Sequence, residues 1–358
     1  MAYVAVSGGE EAIAASIALL DYYRSSDDND IAVSAIEENM SLLVDRVMSE
    51  SGLYSQRYAA LALKQSEGSV EEAVFLLRAY RSTLSRNYYT HVIDGSDMYV
   101  LRRISAAFKD IAGGQMLGAS YDYTHRLIDF QGLDAGSAQI REEINRQLAE
   151  ANPAKPAHYP RVSDSLKEEG LIDSHQTDDS DPFDVTTQLL EFPASRSARL
   201  QTMARSDTGF LSGLAYSALR GFGQVHPTVG ELRSGYSELY VDYPHDPEES
   251  LYIGEIFLTE VECFSSADDS DQLKLSVGYG VSFGRSETKA IAMAVVDYEL
   301  DTQGPYPAQN EEFVLTHGDS LEMNGFISHL KLPHYVTFQS KLDTVREVKK
   351  AREDDHEH

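Results

Sequence analysis

The sequence contains a single cysteine, Cys263, among its 358 residues. One cysteine excludes an internal disulfide and any cysteine-rich metal cluster built from this chain alone. The sequence also lacks an apolar run of about 18 residues, the minimum for a helix that spans a membrane. The opening stretch MAYVAVSGGEEAIAAS has neither a charged start nor a cleavage site. We therefore expect no secretion signal and a cytoplasmic location.

Basic residues are scarce as well. Lysine and arginine number 30 against 58 aspartates and glutamates, which gives a formal net charge of −28. So negative a chain repels nucleic acid and anionic membranes, and we expect neither as a partner. The surplus of acid is typical of adaptation to a salty cytoplasm, and nothing specific indicates a cationic partner.

Hydrophobic residues make up 42% of the chain, which is enough for a sizeable core. Apolar spacing predicts helices over 10–24 and 33–50, and Ser69 with Glu72 forms a capping-box pattern at the start of another. The fold class that we predict is α+β. Its regions are a mainly helical domain at 1–150, an acidic linker rich in Pro, Ser and Asp at 151–185, an α+β domain at 186–345 and a charged tail at 346–358.

The second half of the chain carries the strand signals. Strict alternation in LKLSVGYGVSF predicts a strand, and 234–243 and 250–263 are predicted to lie beside it in an antiparallel meander. One side of that strand is small: Ser276, Gly278, Gly280 and Ser282. Such a face fits either a partner protein or an ordinary helix crossing. Helices are predicted over about 162–170, 197–218 and 286–300.

Two segments of this otherwise acidic chain are rich in arginine. The first basic segment, 102–126, contains Arg102, Arg103 and Arg126, with Gly113-Gly114 inside it. The second basic segment, 196–233, carries a net charge of +3 and contains Arg196, Arg199, Arg205, Arg220 and Arg233. Arginine forks bind phosphate through paired hydrogen bonds, and glycine turns let backbone N–H groups approach an anion.

These segments have two interpretations. Either the arginines line a pocket for a polyanion, or each pairs with a carboxylate from elsewhere in the fold. Neither glycine pattern is a P-loop or a dinucleotide-binding fingerprint, so the ordinary nucleotide folds are not indicated.

Two histidines, His329 and His334, flank a short apolar run that ends at Pro333. Their spacing separates them on a helix or a strand, whereas a bend at Pro333 would bring the imidazoles together. Two ligands do not complete a zinc site, so another chain or water would supply the rest. The alternative is a hydrogen-bonded pair beside a turn. His125 and His226 are further candidates, either structural or as hydrogen-bond donors to a substrate.

Several stretches carry a resemblance to a known family. They include LRRISAAFKDIAGGQMLGASYDYTHRLIDF, SRSARLQTMARSDTGFLSGLAYSALRGFGQVHPTVGELRSGY, GYGVSFGRSETKAIAMAVVD and NGFISHLKLPHYVTFQ. Together they resemble the I subunit of the bacterial carbon–phosphorus lyase system. The likeness covers roughly 1–130 and 186–345, and residues 131–185 depart from the family pattern.

The resemblance implies that a phosphonate replaces the purine base of ATP or GTP, giving ribose 1-phosphonate 5-triphosphate. It implies purine nucleosidase activity when the subunit is alone, and partnership with the G, H, J, K and L subunits. It also implies zinc at the boundary with the iron–sulfur J subunit, held by His329 and His334, and Mg²⁺ with the ATP. A stand-alone nucleoside triphosphate hydrolase and a non-catalytic scaffold that supplies metal ligands to J are the alternatives.

This chemistry needs carboxylates near the ribose, an acid near the leaving base and cations on the phosphates. Asp122, Glu231 and Glu260 are the candidate carboxylates, and His125 or His226 is the candidate acid. The catalytic candidates are Asp122, His125, His226 and Glu231. The substrate-binding candidates are Arg102, Arg103, Arg126, Arg196, Arg199, Arg220, Arg233, Gly113 and Gly114.

Overall fold

The structure is a computed structural model of the chain. It describes residues 9–25, 30–106, 115–128, 130, 137–150, 159–172, 182–221, 227–266, 274–302, 304–331 and 335–356. Its helices are α1 Glu10–Ser25, α2 Val33–Asn39, α3 Ser41–Ser51, α4 Gln56–Gln65, α5 Val70–Ser82, α6 Ser137–Glu150, α7 Val162–Glu168, α8 Arg196–Arg205, α9 Thr208–Gly221, α10 Glu287–Leu300, α11 Glu311–His317, α12 Ser320–Ser328 and α13 Tyr335–His356. Its strands are β1 Tyr99–Ser105, β2 Thr228–Tyr243, β3 Asp246–Ser266 and β4 Leu275–Phe283. None of the helices in these ranges is apolar over enough of its length to cross a bilayer.

Helices α2 to α5 form a bundle with an apolar core of its own, which includes Val47, Met48, Leu63 and Val74. Ser69 begins α5 as predicted, because its hydroxyl accepts a hydrogen bond from the Glu72 backbone N–H at 3.4 Å. The predicted helix over 33–50 is two helices, since the backbone leaves the helical region at Met40. Helix α1, predicted at 10–24, lies outside this core with its side chains exposed.

The four strands form one antiparallel sheet in the order β1-β2-β3-β4. Strands β2, β3 and β4 confirm the predicted meander and the α+β fold class. Strand β1 was not predicted. Its consecutive Arg102 and Arg103 break the alternation of apolar residues, and a bulge between Val100 and Arg102 shifts its register with β2.

Helix α10 crosses the sheet at the small-residue face of β4, and its predicted position is confirmed. A Cβ on Gly278 would lie 2.1 Å from the Ala294 carbonyl oxygen, and one on Gly280 would lie 2.1 Å from that of Ala290. Glycine therefore allows direct contact between helix backbone and strand. Of the two explanations for this face, the helix crossing is the one found.

The predicted helix over 197–218 is also two helices, α8 and α9. They are separated at Ser206 and Asp207, and the Asp207 carboxylate accepts a hydrogen bond from the Phe210 N–H at 2.7 Å. This is an N-cap, which starts α9 in a new direction. Both helices share an apolar core with α10 and the sheet that includes Met203, Leu211 and Val261.

A buried lysine joins the helical bundle to the sheet domain. Lys289 on α10 is fully buried, and its Nζ donates to the Ser49 hydroxyl at 3.0 Å and to the Ala204 carbonyl at 2.6 Å. Nearby, the Glu50 carboxylate accepts hydrogen bonds from the Arg46 Nε and the Thr208 N–H. Helices α3, α8, α9 and α10 are thus tied by polar contacts at their meeting point.

Candidate functional site

The sheet face opposite α10 is charged rather than apolar. Register aligns Arg103 of β1 with Arg233 of β2 and Glu260 of β3, so these side chains share that face. Alternation adds three more side chains to it: Glu231, Glu262 and Tyr279. We call these six residues, together with Arg161, the charged layer.

The charged layer is buried and paired internally. The Arg103 Nε lies 2.5 Å from the Glu231 carboxylate, and both side chains are no more than 2% exposed. The Arg161 Nη2 lies 2.7 Å from Glu260, which also accepts a hydrogen bond from the Tyr279 hydroxyl at 3.0 Å. Three arginines thereby face three glutamates, so basic and acidic side chains are equal in number in the layer.

Residues 159–172 lie over this layer. Tyr159 places its ring 5.5 Å from the Arg103 guanidinium. The Val162 N–H donates to the second oxygen of Glu231 at 2.9 Å, and the Ser163 hydroxyl donates to Glu262 at 2.8 Å. This stretch, which includes the predicted helix α7, closes the charged layer from outside. It lies within 151–185, the region expected to be a solvated linker.

Burial changes the acid–base properties of the layer. It raises the pKa of the Glu260 and Glu262 carboxyls, and the arginines only partly offset the shift. Burial also raises the pKa of the Tyr279 hydroxyl. A carboxyl in this position holds a proton more readily than an exposed one and can donate it.

Arg233 is the least satisfied member of the layer. Its side chain is 1% exposed and its closest carboxylate oxygen, on Glu260, is 3.7 Å away. Its Nε, Nη1 and Nη2 atoms have no hydrogen-bond partner within the described ranges. A buried guanidinium in this state retains its capacity to donate to an oxyanion or to water.

The structure thus brings three of the predicted site residues together: Arg103, Glu231 and Arg233. Others of the first basic segment lie elsewhere. Arg102 pairs with Glu287 at 2.6 Å and with Asp122 at 2.5 Å, away from the charged layer. Arg126 lies 3.6 Å from Asp122, and His125 is exposed in the same loop.

Two of the five arginines in the second basic segment pair with acids at the end of α10 or just beyond it. Arg196 lies 2.6 Å from the buried Asp297, and Arg199 contacts Glu311 and Asp301. Arg220 stacks near the Tyr216 ring, 5.9 Å from its centre. Pairing with carboxylates from elsewhere in the fold, one of the two interpretations of the basic segments, is what the structure has for Arg102, Arg103, Arg196 and Arg199. Arg126 instead pairs with Asp122, four residues away in its own loop. Substrate binding by these residues stays a prediction.

Four predicted site residues lie outside the described residues: Gly113, Gly114, His226 and His334. His329 is exposed at the end of α12, and its Nδ1 hydrogen-bonds to the Phe326 carbonyl oxygen. That contact assigns the proton to Nδ1 and makes Nε2 the nitrogen with the lone pair, as in metal-binding histidines. Within the described ranges, no three His, Cys, Asp or Glu side chains are grouped to hold a metal ion.

Sequence reasoning missed Arg161, Glu262 and Tyr279 as members of the site. Tyr279 and Glu262 follow from strand alternation once the register between β3 and β4 is known. Arg161 gave no usable signal, because it lies in the region taken as a linker.

Known proteins match this chain over nearly its whole length. A family model described as bacterial phosphonate metabolism protein (PhnI) matches residues 2–352. The alpha-D-ribose 1-methylphosphonate 5-triphosphate synthase subunit PhnI of Escherichia coli K12 is 43% identical over 98% of this chain and 99% of its own length. The subunit of the same name from Rhizobium meliloti is 42% identical over 98% of this chain and 96% of its own length.

The putative C-P lyase subunit protein HtxH of Stutzerimonas stutzeri is 44% identical over 97% of this chain and 95% of its own length. Matches over nearly the whole chain thus define a subunit of the carbon–phosphorus lyase pathway, which degrades phosphonates. The chain belongs to the PhnI family.

Proposed function

We propose that this chain carries the catalytic site at which a phosphonate displaces the purine base of ATP or GTP. The product is ribose 1-phosphonate 5-triphosphate, and the chain alone acts as a purine nucleosidase because water takes the place of the phosphonate. The reaction takes place in the cytoplasm, with the G, H, J, K and L subunits as partners and Mg²⁺ on the triphosphate. The relatives' names as synthase subunits support this assignment.

The observation that carries the catalytic role is the position of Arg233 beside Glu260 in the charged layer. Arg233 is a buried guanidinium with open donor sites, and beside it burial raises the pKa of the Glu260 carboxyl. An anion-binding group next to a proton donor is what base displacement needs.

The chemical step divides among residues of this layer. The bond from the anomeric carbon to the base nitrogen breaks, and the electron pair leaves with the base. Glu260 gives its proton to that base, while the ionised Glu231, held by Arg103, stabilises positive charge on the ribose. A phosphonate oxygen, bound by Arg233, then forms the new bond to the anomeric carbon. Residues 159–172 must move aside for the substrate to enter.

Replacing Glu260 with glutamine should lower the rate of adenine release at least about 100-fold, because the glutamine amide has no acidic proton to transfer to the base. The measurement combines purified chain, partner subunits, ATP and methylphosphonate, and follows adenine together with the phosphorus spectrum of the sugar product. Glu255→Gln is the matched control, since Glu255 is an exposed glutamate on the same strand. Wild-type rates for Glu260→Gln and Arg233→Gln in an assembled complex would favour the scaffold alternative.

We further propose that His329 binds zinc through Nε2, with His334 and a neighbouring subunit completing the site. The Phe326 carbonyl supports this role because it fixes the tautomer that a zinc ligand requires. Zinc bound there would supply Lewis acidity at the subunit boundary.

His329→Gln should reduce the zinc content of the assembled complex by at least half, measured by elemental analysis after dialysis. His91→Gln is the control, because His91 is an exposed histidine that pairs with Asp242. Zinc retained at one equivalent per chain in His329→Gln would contradict the assignment.

A further inference from the structure

Two arginines converge beside Gly52, at the end of α3. Arg81 lies in the last turn of α5, and Arg205 in the last turn of α8. A Cβ on Gly52 would lie 3.6 Å from both the Arg205 Nε and the Arg81 Nη1. The two nitrogens are therefore no further apart than twice that distance. Gly52 has a φ of 67°, a left-handed conformation that favours glycine, so the residue between the two guanidinium groups carries no side chain.

Neither arginine has a carboxylate within ion-pair distance in the described part of the chain. The Arg205 Nε is buried there without a hydrogen-bond partner. The nearby acids are already engaged: Asp319 pairs with Arg78, and Asp184 pairs with Arg86. Four guanidinium groups thus share two carboxylates, and the local charge is positive in a chain of net charge −28.

The electrostatics show the strain of this grouping. Burial and the neighbouring Arg78 and Arg81 lower the pKa of Arg205 to about 10. Burial and Arg86 lower the pKa of Arg81 in the same direction. A guanidinium whose pKa falls is one whose charge the folded chain leaves uncompensated.

Helix ends alone do not explain the arrangement. The carbonyls at a helix C-terminus attract cations, but they do so weakly. Here the Arg78 guanidinium donates hydrogen bonds to the Glu50 and Arg205 carbonyl oxygens. The Gly52 N–H donates to those of Met48 and Ser49. Arg81 and Arg205 remain as two adjacent positive charges beyond what those contacts use.

We propose that Arg81 and Arg205 form a binding site for a doubly charged tetrahedral oxyanion of the phosphate class, which includes phosphonates and terminal phosphoryl groups. Two guanidinium forks match the geometry and the charge of such a ligand. None of the site's residues belongs to the charged layer, so this inference does not depend on the catalytic proposal.

The test uses the full chain and inorganic phosphate. The midpoint of thermal unfolding is followed as phosphate replaces chloride at constant ionic strength, and binding is measured directly by titration calorimetry. We expect the unfolding midpoint of the wild type to rise with phosphate concentration until it saturates. The dissociation constant for phosphate should be at least tenfold larger in Arg81→Gln and in Arg205→Gln. Arg205→Lys keeps the charge but loses the fork. Its dissociation constant for phosphate should therefore lie between those of Arg205→Gln and the wild type. Repeating the titration with methylphosphonate in place of phosphate shows whether the site takes a phosphonate or a phosphoryl group.

Arg346→Gln is the control, because Arg346 is an exposed arginine on α13 beside Asp343. An equal phosphate response in the control and in both site variants would overturn the proposal, since it would reflect general exclusion of phosphate from protein surfaces. So would variants that unfold earlier without phosphate yet bind it normally, which is the result expected of a structural role. If Arg205→Gln does not fold, Arg81→Gln alone decides.

Discussion

Replacing Arg103 with methionine should lower the free energy of unfolding by about 3–5 kcal/mol, because it leaves the Glu231 carboxylate charged and buried without its partner. Both side chains are almost fully excluded from solvent, with their nearest atoms 2.5 Å apart. Glu231→Met should cost a similar amount for the converse reason. The measurement is urea unfolding of the purified chain, followed by circular dichroism.

The double variant Arg103→Met with Glu231→Met should recover most of that loss, since it removes both charges together. A remaining deficit of about 1–3 kcal/mol is expected from the Val162 N–H, which loses its acceptor. Arg346→Met is the matched control, because it breaks an exposed pair and should change stability by less than about 0.5 kcal/mol. Costs below about 1 kcal/mol for each single variant would show that the pair is not buried as described.

Lys289→Met should change how stability depends on pH. Burial lowers the pKa of Lys289 to about 8, against an ordinary value of 10.5 in the unfolded chain. Below pH 8 the folded chain carries the full penalty of a buried ammonium group. Between pH 8 and 10.5 the unfolded chain binds more protons, so stability rises with pH. The free energy of unfolding of the wild type should rise by about 3 kcal/mol relative to that of Lys289→Met between pH 8 and 10.5.

The measurement compares unfolding free energies of the two proteins from pH 7 to 10.5. Taking the difference cancels the titration of tyrosines and other groups that both proteins share. Lys349→Met serves as control, since Lys349 is 76% exposed on α13 and should give a constant difference from the wild type. A difference for Lys289→Met that is flat, or that falls with pH, would mean that its ammonium group is solvated.

Local sequence patterns predicted much of the fold. Helices α1, α5, α7 and α10 lie where the sequence predicted them, and so do three of the four strands. The failures have local causes of their own. A single backbone break at Met40 divides one predicted helix, and the Asp207 cap divides another. Strand β1 carries two adjacent arginines, and only its pairing with β2 makes it a strand.

The site was less accessible to sequence reasoning because its contacts are remote along the chain. Arg103 and Glu231 are 128 residues apart, and Arg161 and Glu260 are 99 apart. Charge counting located the basic segments, but it gave no information on which acid each arginine meets. Register decides that, since it places Arg103, Arg233 and Glu260 in one row across three strands.

The contact between α10 and β4 bears on how genetic variants in this chain are interpreted. At Gly278 and Gly280 the strand touches helix backbone, which has no rotamer that could yield to an added side chain. Larger residues there would separate the helix from the sheet in every molecule, whether or not other subunits are present. A strain that loses growth on phosphonates through such an allele would therefore owe the defect to misfolding of this polypeptide. The loss would not indicate a broken subunit interface, although small residues at these positions resemble one.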